Sequence, residues 1–194
     1  MTLHLVSLDC PSCGSALQGE GLDTIFFCDH CGDAATLDED GLHMVESSAL
    51  LPAPGRSARQ WRPAWLLEAD VRVGDRVRAK GRRTEGWQAR MTFVIPGFAM
   101  PLDDLTRHAR ALSEVAGETG EVPREPIRGG TMALEDALTI ARHIVIGDEV
   151  RKSDKLASVQ VDIDVVTSRL VAIPFEPSNV GLRCAITGVT VRRE

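Results

Sequence analysis

The chain of 194 residues contains no tyrosine, and aromatic residues make up only 4% of it. No apolar run approaches the roughly 18 residues that a membrane-spanning helix needs, and residues 170–175 form the longest. The N-terminus lacks the basic segment and the apolar stretch of a signal peptide. Apolar residues at 43% and charged residues at 26% are ordinary for a globular protein and exclude wholesale disorder. We therefore expect a cytoplasmic globular protein.

Positive charge is missing from the beginning of the chain. Residues 1–55 contain nine acidic residues and no Lys or Arg, whereas residues 56–90 contain ten basic and four acidic residues. The rest has twelve basic and fifteen acidic residues, and the formal net charge is −6. A change of sign this abrupt indicates that at least two differently built segments are joined.

Four of the five cysteines lie in the acidic segment as two C-x-x-C pairs. Cys10 and Cys13 form the first pair, Cys28 and Cys31 the second, and 14 residues separate the pairs. This spacing is close to the roughly 15–20 residues of four-cysteine zinc sites, in which two tight turns each direct two thiolates at one ion. A glycine follows each pair and allows the positive φ that such a turn often needs.

Residues 7–46 resemble the zinc-ribbon group, whose hallmark is paired CPxCG or CxxCG knuckles on short hairpins. The resemblance implies a structural Zn²⁺ bound by the four cysteines, and four thiolates leave no open position for catalysis. A rubredoxin-like iron site is the near alternative, but the segment lacks the Tyr and Trp that pack around such iron. A disulfide-exchange pair is a further reading, and no thioredoxin-like context accompanies it here.

Many zinc ribbons bind nucleic acid, which requires Lys and Arg to neutralise phosphates. The nine acidic residues and the negative charge of a four-thiolate zinc centre would repel a phosphate backbone. We therefore interpret the ribbon as a folding staple or as a module that binds another protein.

Residues 47–63 are rich in Ser, Pro, Gly and Ala and read as a linker. Over 64–194, alternating strands with a turn at Gly74-Asp75 come first. Two amphipathic helices follow, the first beginning after Pro101 with an apolar stripe of Leu102, Leu105, Ala109, Leu112 and Val115, and then three strands over about 157–166, 169–175 and 182–192. We therefore predict an α+β fold: a small N-terminal zinc ribbon (1–46) and a β-rich domain with two helices. Trp61 and Trp65 at the boundary are expected to fill the core. An anchor for a partner protein is the alternative.

The strongest polar pattern outside the ribbon is a basic strand. Arg76, Arg78, Lys80 and Arg82 are predicted on one face, and Arg83 follows at the turn. This face could bind an anion, a nucleic-acid backbone, an acidic partner or the chain's own ribbon. A solvated outer face explains it as well.

No catalytic constellation is recognisable in the sequence. The run Arg128–Thr131 before the second helix could bind an anion but reads mainly as a loop, and His108 and His143 are expected at the surface. We therefore predict a non-enzymatic, bacterial-type adaptor or assembly subunit with protein partners and no small-molecule substrate. The alternative is a nucleic-acid-binding regulatory protein that uses the basic strand Arg76–Arg83.

Overall fold

The structure is a computed structural model that describes residues 6–78, 81–115, 117–152 and 156–192. Its described residues form two helices, a three-stranded sheet and a strand-rich, curled eight-stranded sheet. The predicted α+β class is confirmed.

The small sheet lies in the segment that we call the ribbon, residues 7–46. Strands β1 (Ile25–Phe27), β2 (Ala34–Asp38) and β3 (Gly41–Val45) pair antiparallel in the order β1-β2-β3. The Asp38 carboxylate accepts the N–H groups of Asp40 and Gly41, and Gly41 has φ 125°. A polar turn with a positive φ therefore closes the β2–β3 hairpin.

The large sheet is built around two long strands, β5 (Gln60–Arg78) and β9 (Leu156–Ser178), which pair antiparallel. Strand β7 pairs with the other edge of β5, and β6 forms a short hairpin with the end of β5. The other edge of β9 pairs with β10 and, in parallel, with β4, while β11 and β8 lie outside these. The shorter strands are β4 (Ser47–Leu50), β6 (Arg83–Thr84), β7 (Trp87–Pro96), β8 (Thr119–Gly120), β10 (Gly181–Cys184) and β11 (Thr190–Arg192).

Both long strands are more continuous than the sequence pattern predicts. We expected a turn at Gly74-Asp75, but β5 passes through these residues in a β-bulge, with register shifts between Gly74 and Val77 and φ 42° at Asp75. A bulge absorbs the extra residue that the pattern presents as a turn. The strands predicted over 157–166 and 169–175 are likewise one strand, β9.

The helices are α1 (Leu102–Glu114) and α2 (Leu134–Lys152). Pro101 precedes α1 as expected, and Leu105, Ala109 and Leu112 of the predicted stripe are buried. The buried stripe is shorter than predicted at both ends, because Leu102 and Val115 are 57% and 50% exposed. In the described residues neither helix has the length and apolar character to cross a membrane.

Helix α2 and the ribbon cover the same face of the large sheet. Alternate residues of β5 point to this face, where the buried α2 side chains Ala137, Ala141, Ile144 and Val145 pack. Ile25, Phe27 and Ala34 of the ribbon belong to the same hydrophobic cluster as Trp61 and Trp65. The ribbon therefore shares a core with the rest of the chain.

The segment 47–63 is more structured than a linker. It contains β4 and the first residues of β5, so only residues 51–59 run outside strands. Backbone pairing of Ser47 with Leu170 explains this, since the sequence between them gives no local sign of a partner. The division of the chain at residues 46 and 63 stays a prediction.

Candidate metal centre and charged surfaces

The two cysteine pairs lie in backbone turns that repeat each other. The N–H of Gly14 donates to the carbonyl of Cys10 over 2.8 Å, and the N–H of Gly32 donates to that of Cys28 over 2.9 Å. Gly14 and Gly32 have φ 74° and 82°, the left-handed conformation that favours glycine. The spacing and both glycines therefore have the structural role that the sequence predicts.

These turns bring four sulfur atoms together. The Cys10 and Cys31 sulfurs are 3.6 Å apart, as are those of Cys13 and Cys28, and all four lie within 4.8 Å of one another. A tetrahedron with bonds of about 2.3 Å places sulfurs about 3.8 Å apart. The cluster therefore fits one tetrahedral metal ion. His30 is exposed and is not part of it.

The thiols of the cluster differ in acidity. Hydrogen bonds from the side chain and backbone of Ser15 lower the pKa of Cys13 to about 6. Burial raises the pKa of Cys28. A metal ion must therefore displace protons to bind, and metal affinity must rise with pH.

The ribbon is hydrogen-bonded to the loop between the two helices. The N–H groups of Thr24 and Ile25 both donate to the carbonyl of Gly130, and Gly130 donates to the carbonyl of Ile25. Gly130 has no room for a side chain, because a Cβ there would lie 2.3 Å from the carbonyl oxygen of Gly97 and 2.6 Å from the ring of Pro63. The ribbon therefore sits at the Pro63 end of β5.

The acidic residues of the ribbon lie mostly on its surface. Seven of the nine are exposed: Asp9, Glu20, Asp29, Asp38, Glu39, Asp40 and Glu46. Asp38 is held by its turn and by His43 at 2.9 Å, and Glu46 lies 3.7 Å from Arg169. The turn between β2 and β3 thus presents three consecutive carboxylates to solvent.

The two tryptophans at the predicted boundary are core residues. Trp61 is 8% exposed and Trp65 is 3% exposed. Trp61 Nε1 donates to Glu125 over 2.6 Å, and Trp65 Nε1 donates to the carbonyl of Met132 over 2.9 Å. As anchors for a partner they would first have to leave the core.

The structure does not gather the basic strand on one open face. Arg78, Arg82 and Arg83 are exposed, but Arg82 lies across the turn that follows β5. Arg76 is largely buried beside Glu149, with 2.7 Å between guanidinium and carboxylate. Lys80 falls outside the described residues. At about 3.3 Å per residue, Pro63 and Arg78 lie about 50 Å apart along β5, so this conformation separates the ribbon from the chain's own basic strand.

Sequence reasoning missed the partner of Arg76. Glu149 is fully buried, accepts a hydrogen bond from Trp87 Nε1 over 2.8 Å and lies 3.3 Å from Lys152 Nζ. We call these four residues the Glu149 cluster. A signal existed, because Glu149 follows Val145 by four positions and so continues the buried stripe of α2.

His108 is a second buried group that the sequence reading placed at the surface. It is 0% exposed, and Phe175 lies 6.3 Å from it between ring centroids. Burial lowers the pKa of His108. Its position also follows the helical repeat, three residues after Leu105 and four before Leu112.

A cleft of about 610 Å³ opens where the ribbon meets the large sheet. Three arginines line it, Arg62, Arg128 and Arg192, together with Phe98 and the loop residues 126–131. Glu20, Asp23 and Asp29 of the ribbon also line it. The sequence predicted that the run Arg128–Thr131 could bind an anion, but no local pattern indicated that this run lies near Arg62.

Comparison with known proteins gives no relative: no protein-family model matches the chain, and no match was found among the curated proteins or the solved structures. Function must therefore be inferred from the sites themselves.

Proposed function

We propose that the chain is a non-enzymatic cytoplasmic zinc-ribbon adaptor or assembly subunit whose acidic ribbon binds a basic surface of a partner protein. The proposal rests on one observation, the exposed carboxylates of a ribbon that is fixed to the core through Ile25, Phe27 and Gly130. A fixed ribbon presents its charges with little loss of conformational entropy on binding.

The metal is Zn²⁺ and its role is structural in this proposal. Four thiolates at tetrahedral spacing suit zinc and fill its coordination sphere. Elemental analysis of purified protein tests this, with one zinc per chain expected. Iron in its place, with the visible absorption of an iron–thiolate centre, would contradict it.

Charge reversal of the β2–β3 turn tests the adaptor function. Full-length protein is cross-linked in its native host, and the partners of the wild type are compared with those of E39K/D40K. Both residues are exposed, and neither carboxylate supports the turn as Asp38 does. We expect E39K/D40K to lose the specific partners of the wild type. Binding of these partners to the wild type should weaken as salt is added, because salt screens exposed charges.

The matched control for that experiment is E118K/E121K, which changes the net charge equally at exposed positions of the loop between the helices. It should keep the partners. Partners that survive E39K/D40K, or that are lost equally from both variants, would refute a role for the ribbon surface.

Nucleic-acid binding through the basic strand is the second candidate. One observation favours it: in the part of the chain that the structure describes, no ion pair involves Arg78, Arg82 or Arg83. This hypothesis predicts that the logarithm of the nucleic-acid affinity falls steeply with the logarithm of salt concentration. It also predicts that R82E/R83E loses nucleic-acid binding and that R142E, on α2, keeps it. Binding that is independent of salt, or retained by R82E/R83E, would refute it.

A further inference from the structure

The cleft between the ribbon and the sheet contains an arginine whose surroundings are incomplete. The guanidinium carbon of Arg62 lies 5.4 Å from the ring centroid of Phe98, which itself packs edge-on against Phe175 at 5.7 Å. Arg62 Nε is buried and has no hydrogen-bond partner among the described residues. The same holds for the Nε atoms of three other arginines, Arg76, Arg110 and Arg169. Each of these three forms an ion pair, whereas Arg62 forms none among the described residues, so its guanidinium is open to an acceptor from outside the chain.

The charge around Arg62 points the same way. Burial lowers the pKa of Arg62, and the like charge of Arg128 adds to this effect, while Glu20 and Asp23 oppose it. Both arginines remain charged at neutral pH. They line one cleft, and no carboxylate forms an ion pair with either of them in the described ranges. An oxyanion between them would relieve their repulsion and accept their N–H groups.

The remaining lining indicates what accompanies the oxyanion. The cleft volume of about 610 Å³ lies within the roughly 300–1,000 Å³ of small-molecule sites. Its apolar lining includes Phe98, Met100, Ile127, Leu182 and Val191. Such a surface suits an organic body better than a hydrated inorganic ion.

The acidic residues of the cleft limit the charge of the ligand. Glu20, Asp23 and Asp29 line the same space. Asp23 also accepts the N–H of Glu20 over 2.7 Å and so supports the ribbon loop. Three carboxylates repel a polyanion such as a nucleic-acid backbone, but they tolerate a ligand with a single anionic group.

We propose that this cleft binds a small organic anion, whose carboxylate or phosphate group contacts the guanidinium groups of Arg62 and Arg128 and whose apolar part lies against Phe98. The fork of N–H groups in arginine matches the paired oxygens of both groups. The ligand would contact both the ribbon and the sheet and would stabilise their junction. This site is independent of the proposed adaptor function.

The test is titration of the metal-loaded full chain with benzoate, phenyl phosphate and inorganic phosphate, measured by calorimetry and by thermal shift. Sodium chloride at equal ionic strength corrects for screening. We expect benzoate or phenyl phosphate to raise the melting temperature beyond the salt control, and inorganic phosphate to bind more weakly than phenyl phosphate. Tighter binding of benzoate than of phenyl phosphate would indicate a carboxylate site, and the reverse order would indicate a phosphate site.

Substitutions then locate the binding. R62Q and R128Q should each raise the dissociation constant of the organic anion at least tenfold. R124Q, which replaces an exposed arginine of the same loop, should leave it unchanged. Arg128 is exposed, so R128Q tests the site even if R62Q fails to fold. The proposal is overturned if no organic anion binds beyond the salt control, or if R128Q binds as tightly as R124Q.

Discussion

Removal of the Glu149 carboxylate should destabilise the protein more than any surface substitution on the same helix. Glu149 is 0% exposed and joins the end of α2 to β5 and β7 through Arg76 and Trp87. Glu149→Ala would leave an arginine that is only 17% exposed without its counter-ion, and the indole N–H of Trp87 without its acceptor.

The expected magnitude follows from the burial of the pair. Breaking a buried ion pair by deleting one partner costs about 3–5 kcal/mol. At about 2–4 °C per kcal/mol for a chain of this size, the melting temperature should fall by about 6–20 °C. Glu149→Gln keeps an acceptor for Trp87 and removes only the charge, so its loss should be smaller. Arg142→Ala, exposed on the same helix, should stay within about 0.5 kcal/mol.

Urea unfolding of these variants gives the free energies, and a double variant isolates the pair. In E149A/R76A both charges are gone, so the loss should be smaller than the sum of the losses in E149A and R76A by about 0.5–3 kcal/mol. If E149A costs less than about 1 kcal/mol, or if the two single losses add, Glu149 and Arg76 do not interact as a buried pair.

Three further predictions concern the metal, a buried histidine and the loop that holds the ribbon. Chelation, or Cys10→Ser, should lower the amide protection of the ribbon in hydrogen exchange, most of all at the two cysteine turns, because the part of the ribbon outside the shared core has only a small apolar cluster of its own; unchanged protection there would contradict a structural metal. Because the pKa of His108 is lowered in the folded state, the unfolded chain becomes protonated at this residue at a higher pH than the folded chain does. The free energy of unfolding therefore has its full value above about pH 6.5 and falls below it, by up to about 1.4 kcal/mol per pH unit. His108→Leu should flatten the pH dependence of urea unfolding relative to wild type, and His143→Leu, at an exposed position, should not. Gly130→Ala should cost about 1–3 kcal/mol by forcing the loop from its neighbours, whereas Gly21→Ala, where a Cβ meets nothing within 4 Å, should cost far less in the same assay.

The parts of the structure that follow from local rules were predictable from the sequence. The metal-binding turns need only the C-x-x-C spacing and a glycine, and both knuckles have the expected hydrogen bonds. The two helices follow from apolar residues at a helical repeat. Two of their three buried polar residues, His108 and Glu149, lie on the same repeat, and they were missed because residue type was given more weight than position.

Long-range pairing had no local signal. The bulge at Gly74-Asp75 looks like a turn unless it is known that β9 continues alongside β5. Likewise nothing near Gly130 indicates that its carbonyl accepts the N–H groups of Thr24 and Ile25. The cleft depends on a further long-range contact, because Arg62 and Arg128 are distant in sequence and are brought together by the bridge between Trp61 and Ile127.

The pairing of Ile25 with Gly130 also determines an order of events during synthesis. Ile25 leaves the ribosome about 100 residues before Gly130, which at about 5–20 residues per second is a delay of about 5–20 s. The four cysteines are all present once Cys31 has emerged, so the nascent ribbon can bind its metal long before its sheet partner exists. During that interval Ile25 and Phe27, which the finished protein buries completely or nearly so, have no core to enter. During that interval the N-terminal segment therefore depends on chaperones or on early metal capture to protect these apolar side chains.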